Sequence, residues 1–369
     1  IPIFAGPPQG APSRSAFQSE GTSLHPITLA GLGWSAHFLR QLSLDEIGRF
    51  PPARVTTVHR DRIEAVGEGV ASSFGLPPGL PTSDIAVGDW VLTEPDLPRV
   101  HRLLDRQTLI ARRAAGTGAG RQLIAANLDT IAIVTSCNAE FNEARLERYL
   151  AVARAGGVVP VIVLTKADAT DPDPFRDRAE RAGSGVPVLA VDARDALQAQ
   201  SIADWCRPGQ TLGLVGSSGV GKSTLAGTLT GFPLATAAIR ADDAKGRHTT
   251  TSRHLLPTIF GGWLLDTPGM RELRLTDAAE GVAATFDDID AVAENCRFRD
   301  CLHQGEPGCA VEAAIAAGEL DPARLHRWRK LVREDRINSE TLAEAHRRNR
   351  AFGRMTRTAM RAKEGRRNN

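Results

Sequence analysis

Gly216-Ser217-Ser218-Gly219-Val220-Gly221-Lys222-Ser223-Thr224 reads as a Walker A phosphate loop, and about fifty residues before it stands Thr165-Lys166-Ala167-Asp168, a candidate guanine-reading motif. Ordinary GTPases place the phosphate loop first and the base reader last. Here the reader leads, and a DxxG motif, Asp266-Thr-Pro-Gly269, follows the loop. That order describes a circularly permuted P-loop GTPase domain, a doubly wound α/β fold.

The context of the loop makes it specific. An apolar run, Thr211–Val215, leads in, and Ser223 to Thr230 suits a helix. Gly216, Gly219 and Gly221 let the backbone turn its N–H groups towards phosphate, with the helix N-terminus behind them. Lys222 is expected to bridge the β- and γ-phosphates, and the Ser223 hydroxyl to ligate Mg²⁺. Asp266, ending its own apolar run, is expected to hold Mg²⁺ through water, and the Gly269 N–H to meet the γ-phosphate. Between them Gly246-Arg-His-Thr-Thr-Thr-Ser252 is a polar loop suited to closing over the metal. One of Thr249, Thr250 or Thr251 should supply the second hydroxyl, with Thr250 favoured; the alternative is a solvated Thr-rich turn.

Base choice rests on Asp168, whose carboxylate can accept from guanine N1–H and N2–H₂, whereas adenine has no N1–H to offer. The Lys166 stem can cover one face of the base. Thr165 stands where many GTPases have Asn, which predicts the loss of one supporting hydrogen bond. Leu189-Ala-Val-Asp192-Ala193, after the next apolar run, is expected to give a backbone N–H to guanine O6, although Asp192 replaces the usual Ser. Met270 follows Gly269 where many GTPases have Gln, and a thioether cannot orient a water. His248 is the nearest substitute, the other reading being a His that only anchors its loop.

The chain has 369 residues, 42% hydrophobic and 24% charged, which suits two or three soluble domains. Residues 1–45 read as an arm, rich in Pro, Gly and Ser at its start and partly disordered, with a short amphipathic helix over Leu32–Leu42. Residues 46–118 carry short β-rich runs at Arg54–His59, Arg62–Val66 and Gly88–Leu92, which predict an oligonucleotide-binding (OB-type) barrel. Residues 119–275 alternate strand and helix, with apolar runs at Thr130–Thr135, Val158–Leu164, Pro187–Val191, Thr211–Val215 and Gly262–Asp266 and a helix over Asn142–Ala155. No run approaches a membrane span and no secretory signal is visible, so the expectation is a cytoplasmic protein.

Residues 276–369 read as a helical zinc-binding domain with a basic tail. Cys296, Cys301, His303 and Cys309 offer three thiolates and an imidazole, the donor set of a closed structural Zn²⁺ site. Cys137 and Cys206 sit in or beside apolar segments and read as core thiols. From Ala323 to Asn369 there are fifteen Lys/Arg against five Asp/Glu, a net charge of +10 in a chain whose total is +2. Arg327, Trp328, Arg329, Lys330 and Arg333, then Arg347 to Arg361, suit RNA phosphate.

Together these residues resemble the family of the ribosome small-subunit-dependent GTPase A. The likeness covers about Leu32 to Phe352. Its most specific parts are Ala126-Asn-Leu-Asp129, the Walker A loop, Gly246–Thr251, Asp266–Gly269 and the Cys-Cys-His-Cys set. The resemblance implies barrel, permuted GTPase and zinc domain in that order, and tolerance of Thr165. It also implies late assembly of the 30S subunit, contact with 16S rRNA, GTP hydrolysis stimulated by 30S and release afterwards, and a catalytic His248. A monomer is expected. The rival readings are an RNA-binding protein with nucleotide as an unhydrolysed regulatory ligand, a P-loop ATPase, and a large-subunit assembly GTPase.

Overall fold

Strand-forming runs rich in Val and Ile build a five-stranded and a six-stranded sheet, with a two-stranded hairpin between them, in this computed structural model, which describes residues 27–113, 121–231, 254–266 and 278–339. Strands β1 (Pro52–Val58), β2 (Ile63–Gly67), β3 (Val70–Phe74), β4 (Trp90–Thr93) and β5 (Val100–Leu103) form an antiparallel sheet in the order β3-β2-β1-β4-β5. A parallel bridge between Gly75 and Arg99 joins its two edges, with the Val100 N–H donating to the Gly75 carbonyl at 2.9 Å. A five-stranded sheet closed in that order is an OB-type barrel. Ala53, Val55, Ile63, Phe74, Ile85, Val91 and Val100 fill it.

A hairpin of β6 (Leu109–Arg113) and β7 (Arg121–Ala126) leads from the barrel to the second sheet. The expected division at residues 118/119 falls between its two strands. Asn127, with φ of 54°, turns the chain there. Its amide donates to the Gly88 carbonyl at 3.0 Å and accepts from the Gln107 N–H at 2.8 Å. Beside it Arg54 is fully buried, donating to the carbonyls of Leu32 at 2.5 Å and Asn127 at 3.0 Å. Burial pulls its pKa down to about 10, with Asp129 and Asp89 opposing.

The second sheet runs β10 (Val188–Val191), β9 (Val159–Thr165), β8 (Thr130–Ser136), β11 (Thr211–Val215), β13 (Trp263–Asp266), β12 (His254–Pro257), parallel except at the β12 edge. From β8 the chain steps outwards to β9 and β10, then returns to lay β11 on the other side of β8. The crevice beyond the carboxyl ends of β8 and β11 is therefore the topological switch point, where doubly wound sheets bind ligands. Helices α2 (Glu143–Ala155), α3 (Asp173–Ala182), α4 (Ala196–Ala203) and α5 (Lys222–Thr230) cover the faces. The Asn142 side chain caps α2 by accepting from the Arg145 N–H at 3.0 Å.

The C-terminal module contributes α6 (Ala279–Thr285), α7 (Asp287–Ala293), α8 (Ala310–Ala316) and α9 (Pro322–Ser339). It lies on α2, so Leu146, Leu150, Val282, Phe286, Ile289, Leu325 and Leu331 belong to one core. Gly281 makes that approach possible: a Cβ there would stand 2.0 Å from the Ala151 carbonyl. No helix among the described residues is long and apolar enough to cross a membrane.

The helix expected over Leu32–Leu42 is confined to the single turn α1 (Ala36–Leu39). Gly33 at φ of 91° and extended Ser35 break the pattern, and Leu32 and Phe38 are buried instead at the barrel junction. The Trp263 indole donates to the Gly31 carbonyl at 2.7 Å, so this part of the arm is tied to the second sheet.

Candidate active site and metal centre

The phosphate loop leaves β11 at the switch point. Gly216, at φ of 144°, is required there because a Cβ would lie 2.1 Å from the Val134 carbonyl. Gly221, at φ of 95°, forms the N-cap of α5 and delivers Lys222, Ser223 and Thr224 to the first turn of that helix. The Lys222 ammonium donates to the Ser217 carbonyl, folded back across its own loop. Arg145, from the first turn of α2, donates to the Ser217 hydroxyl. Ser218 and Gly219 are exposed, and Val220 is buried in the core beneath the loop.

The base reader leaves β9, two strands from β11. Thr165, buried, donates its hydroxyl to the Val220 carbonyl at 2.5 Å, with the Thr135 carbonyl 3.1 Å away. Thr165, standing where many GTPases have Asn, thus ties the end of β9 to the loop through its own hydroxyl. Lys166 takes φ of 59°, an uncommon conformation for a residue with a Cβ. Asp168 is about one third exposed and accepts from Arg194 Nη2 at 2.6 Å.

Arg194 lies in the loop after β10. Its Nε and Nη2 both donate to Asp192, at 2.9 Å each. Hydrogen bonding to Arg194 holds the Asp192 carboxyl below its ordinary range. The neighbouring Ala193 carbonyl accepts from Thr228 of α5 at 2.7 Å. The segment expected to meet guanine O6 is therefore braced by the phosphate-loop helix itself. In the sequence this segment suggests only a backbone donor, and Arg194 is signalled by nothing beyond the alternation Asp192-x-Arg194.

Asp266 ends β13 with its backbone paired to His254, which places it at the same rim of the sheet. His248, Thr250, Gly269 and Met270 lie outside the described residues, as does the tail beyond Ser339.

In the C-terminal module Cys296, Cys301, His303 and Cys309 place their ligand atoms within 4.8 Å of one another. His303 turns Nδ1 towards two thiols, 3.6 Å from Cys296 Sγ and 3.5 Å from Cys309 Sγ. A tetrahedral zinc with Zn–S of about 2.3 Å sets its ligand atoms roughly 3.7 Å apart, so the four fit the ion. Burial, then neighbouring Arg329, pushes the His303 pKa down, which favours the neutral ligand form. Burial and the adjoining thiols push Cys301 up to about 11. Such crowding of thiols is what a dication relieves. The remaining pair, Cys137 and Cys206, are buried free thiols, both raised by burial.

The basic helix needs a correction. Arg324 and Arg327 both meet Glu147, a fully buried carboxylate of α2, at 3.1 and 2.7 Å. Arg324 also forks onto Asp288 at 2.6 and 2.8 Å, and Arg329 donates to the His303 carbonyl and reaches Glu312. Arg327 and Arg329 are thus consumed inside the fold. Trp328 packs 5.7 Å from the His303 ring and is part of the core rim.

Known proteins share this arrangement. The sequence pattern of the family described as RsgA GTPase matches residues 103–276. The small ribosomal subunit biogenesis GTPase RsgA of Mesorhizobium japonicum is 50% identical over 325 residues, 87% of this chain and 93% of its own. The small ribosomal subunit biogenesis GTPase RsgA 2 of Vibrio parahaemolyticus is 46% identical over 90% of this chain and 92% of its own. Among solved structures, YjeQ from Thermotoga maritima superposes with a TM-score of 0.57 at 25% identity, covering 76% of this chain and 96% of that one. YloQ, described as a circularly permuted GTPase, shares the fold with a TM-score of 0.56 at 22% identity, covering 79% of this chain and 97% of its own. With barrel, permuted nucleotide domain and Cys3His module in the same order as the sequence motifs, and with half of the residues identical across the 87% of the chain that aligns with the Mesorhizobium relative, the chain belongs to the RsgA family of GTPases.

Proposed function

We propose that this protein hydrolyses GTP and couples the hydrolysis to binding and release of the small ribosomal subunit late in its assembly. The observation that carries the nucleotide half is the Thr165–Val220 hydrogen bond, which joins base reader and phosphate loop into one cradle. Asp168 selects guanine. Backbone N–H groups of the loop and Lys222 neutralise the phosphates, so charge developing on the leaving diphosphate meets donors already in place. Ser223, Thr250 and Asp266 would hold Mg²⁺, which supplies charge neutralisation between the β- and γ-phosphates. His248 would orient the attacking water, Met270 being unable to. Cys296, Cys301, His303 and Cys309 would hold one structural Zn²⁺.

Coupling runs through contacts on both sides of the site. Helix α2 carries Arg145 at the phosphate loop and, farther along, Glu147 and Arg148 bound to Arg324, Arg327 and Glu334 of the C-terminal module. On the barrel side, the Thr57 hydroxyl lies 3.3 Å from Nδ1 of His254, the first residue of β12 after the polar Thr-rich loop. A nucleotide-dependent shift at either point is transmitted to a candidate RNA-binding module. The barrel and the Arg347–Arg361 tail supply the surfaces for 16S rRNA, and the protein works as a cytoplasmic monomer.

The test is GTP hydrolysis by the purified protein alone, with 30S subunits and with 50S subunits. Stimulation by 30S only is expected. Equal slow turnover in all three would instead favour the nucleotide as a regulatory ligand with no useful turnover.

A further inference from the structure

Arg194 makes, with the carboxylate that reads guanine, the kind of contact guanine itself must make. We propose that Arg194 is an internal competitor for the base at Asp168, setting how readily the site captures a guanine nucleotide. The inference rests on the guanine reading of Asp168 and deepens it.

Guanine offers Asp168 two coplanar donors, N1–H and N2–H₂. A guanidinium offers coplanar donors of the same kind, and Nη2 of Arg194 already lies 2.6 Å from Asp168 Oδ2. The arginine is placed for this by a built loop, not by chance of rotamer. Asp192 holds it through Nε and Nη2, and the Asp192 N–H is itself held by Gln198 at 2.8 Å. Thr228 of the phosphate-loop helix pins the Ala193 carbonyl between the two residues. When guanine takes Asp168, Arg194 gives up one partner and keeps Asp192. Displacement therefore costs a single exposed ion pair, weak enough for the base to win and strong enough to slow it.

Two electrostatic ideas make opposite predictions here, which gives the test its sign. If Arg194 acted only as a positive charge steering an anionic nucleotide, its removal would slow association. As a competitor, its removal must speed it.

The experiment is stopped-flow association and dissociation of ribose-labelled fluorescent GDP on the full chain, wild type against Arg194→Gln, at low and high KCl. Association is expected to rise about two- to fivefold with dissociation unchanged, an effect the size of one exposed ion pair. The gain should shrink in high salt. In an Asp168→Asn background, read with labelled xanthosine diphosphate, the same Arg194→Gln change should do nothing. Unchanged or slower association in the wild-type background would overturn the proposal. So would an acceleration that persists in the Asp168→Asn background. Displacement of the label by unlabelled GDP but not ADP checks the guanine reading separately; displacement by both would remove that reading and this inference with it.

Discussion

The Thr165 hydroxyl donates to the Val220 carbonyl at 2.5 Å, joining the end of β9 to the phosphate loop across the β8 strand that lies between β9 and β11. A hydroxyl has one proton, so the Thr135 carbonyl at 3.1 Å is a second acceptor in reach, not a second bond made at once. Gly221 lies beside the joint, where a Cβ would be in ordinary contact with Thr165 Oγ1 at 3.4 Å and the φ of 95° is what calls for glycine. Thr165→Val keeps the shape and removes the donor, leaving the Val220 carbonyl of a buried residue unpaired. The expected cost is about 1–3 kcal/mol, read as a lower Tm and as GDP affinity weakened by about tenfold. Thr165→Ser should restore most of both. Unchanged GDP affinity in the Val variant would show that the two motifs bind nucleotide independently.

Glu46 makes the N-terminal segment sensitive to acid. Arg102 binds it through Nε at 2.6 Å and Nη2 at 3.0 Å, and the Ser43 N–H adds a third bond at 2.8 Å. These bonds, Arg102 first, hold the Glu46 carboxyl down to about 2. A carboxylate whose folded pKa is depressed stabilises the fold above its unfolded pKa and loses that contribution as pH falls through the folded value. The loss should therefore run from about pH 4.5 down to about 2. Glu46→Gln should be less stable than wild type at pH 7 and converge with it at pH 2, measured by urea midpoints across that range. Parallel curves would exclude Glu46 as the source.

Metal removal separates the module from the nucleotide site. Cys309 both joins the ligand cluster and caps α8 through its Sγ, which accepts from the Glu312 N–H at 3.4 Å. Cys309→Ser should abolish bound zinc, measured by elemental analysis, and lower the first unfolding transition. GDP binding should persist, because the loop and base reader rest on β9, β11 and α5 with their own core. Retention of one zinc per chain in the Ser variant would refute the four-ligand assignment.

The parts legible in the sequence are those whose signal is local. Buried parallel strands read as unbroken apolar runs, so Val158–Leu164 and Thr211–Val215 could be placed nearly to the residue. The barrel was harder. Strand β3, Val70–Phe74, exposes Ala71, Ser72 and Ser73, and its polar surface hides it from any periodicity argument. Charge was legible in sign but not in destination. Arg327 counts as a basic residue in the chain, yet its partner Glu147 lies 180 residues earlier and is buried on another helix. Arg194 and Asp168 are only 26 residues apart, but they stand in loops after different strands, and nothing in either local sequence announces the pairing.

Arg324 tests whether the C-terminal module is part of the GTPase core or an appendage to it. Its guanidinium lies between Glu147, Asp288 and the carbonyls of Thr285 and Ala182, all but sealed from water. Removing one partner from such a cluster leaves a buried charge behind, and Arg324→Met should cost about 3–5 kcal/mol in urea unfolding. Arg327 remains beside Glu147 at 2.7 Å, which would hold the loss towards the lower end. Changing both partners, Glu147→Leu with Arg324→Met, removes the stranded carboxylate together with one of its two cations, leaving Arg327 to Glu143 and Asp321. The double variant should recover part of the loss, a coupling a mutant cycle measures directly. If instead the two changes simply add, the bridge is dispensable and the module is held to α2 by its apolar face alone. Hydrolysis alone against hydrolysis with 30S subunits then supplies the functional reading. If the proposed coupling holds, a severed bridge should leave basal turnover in place and reduce the stimulation by 30S.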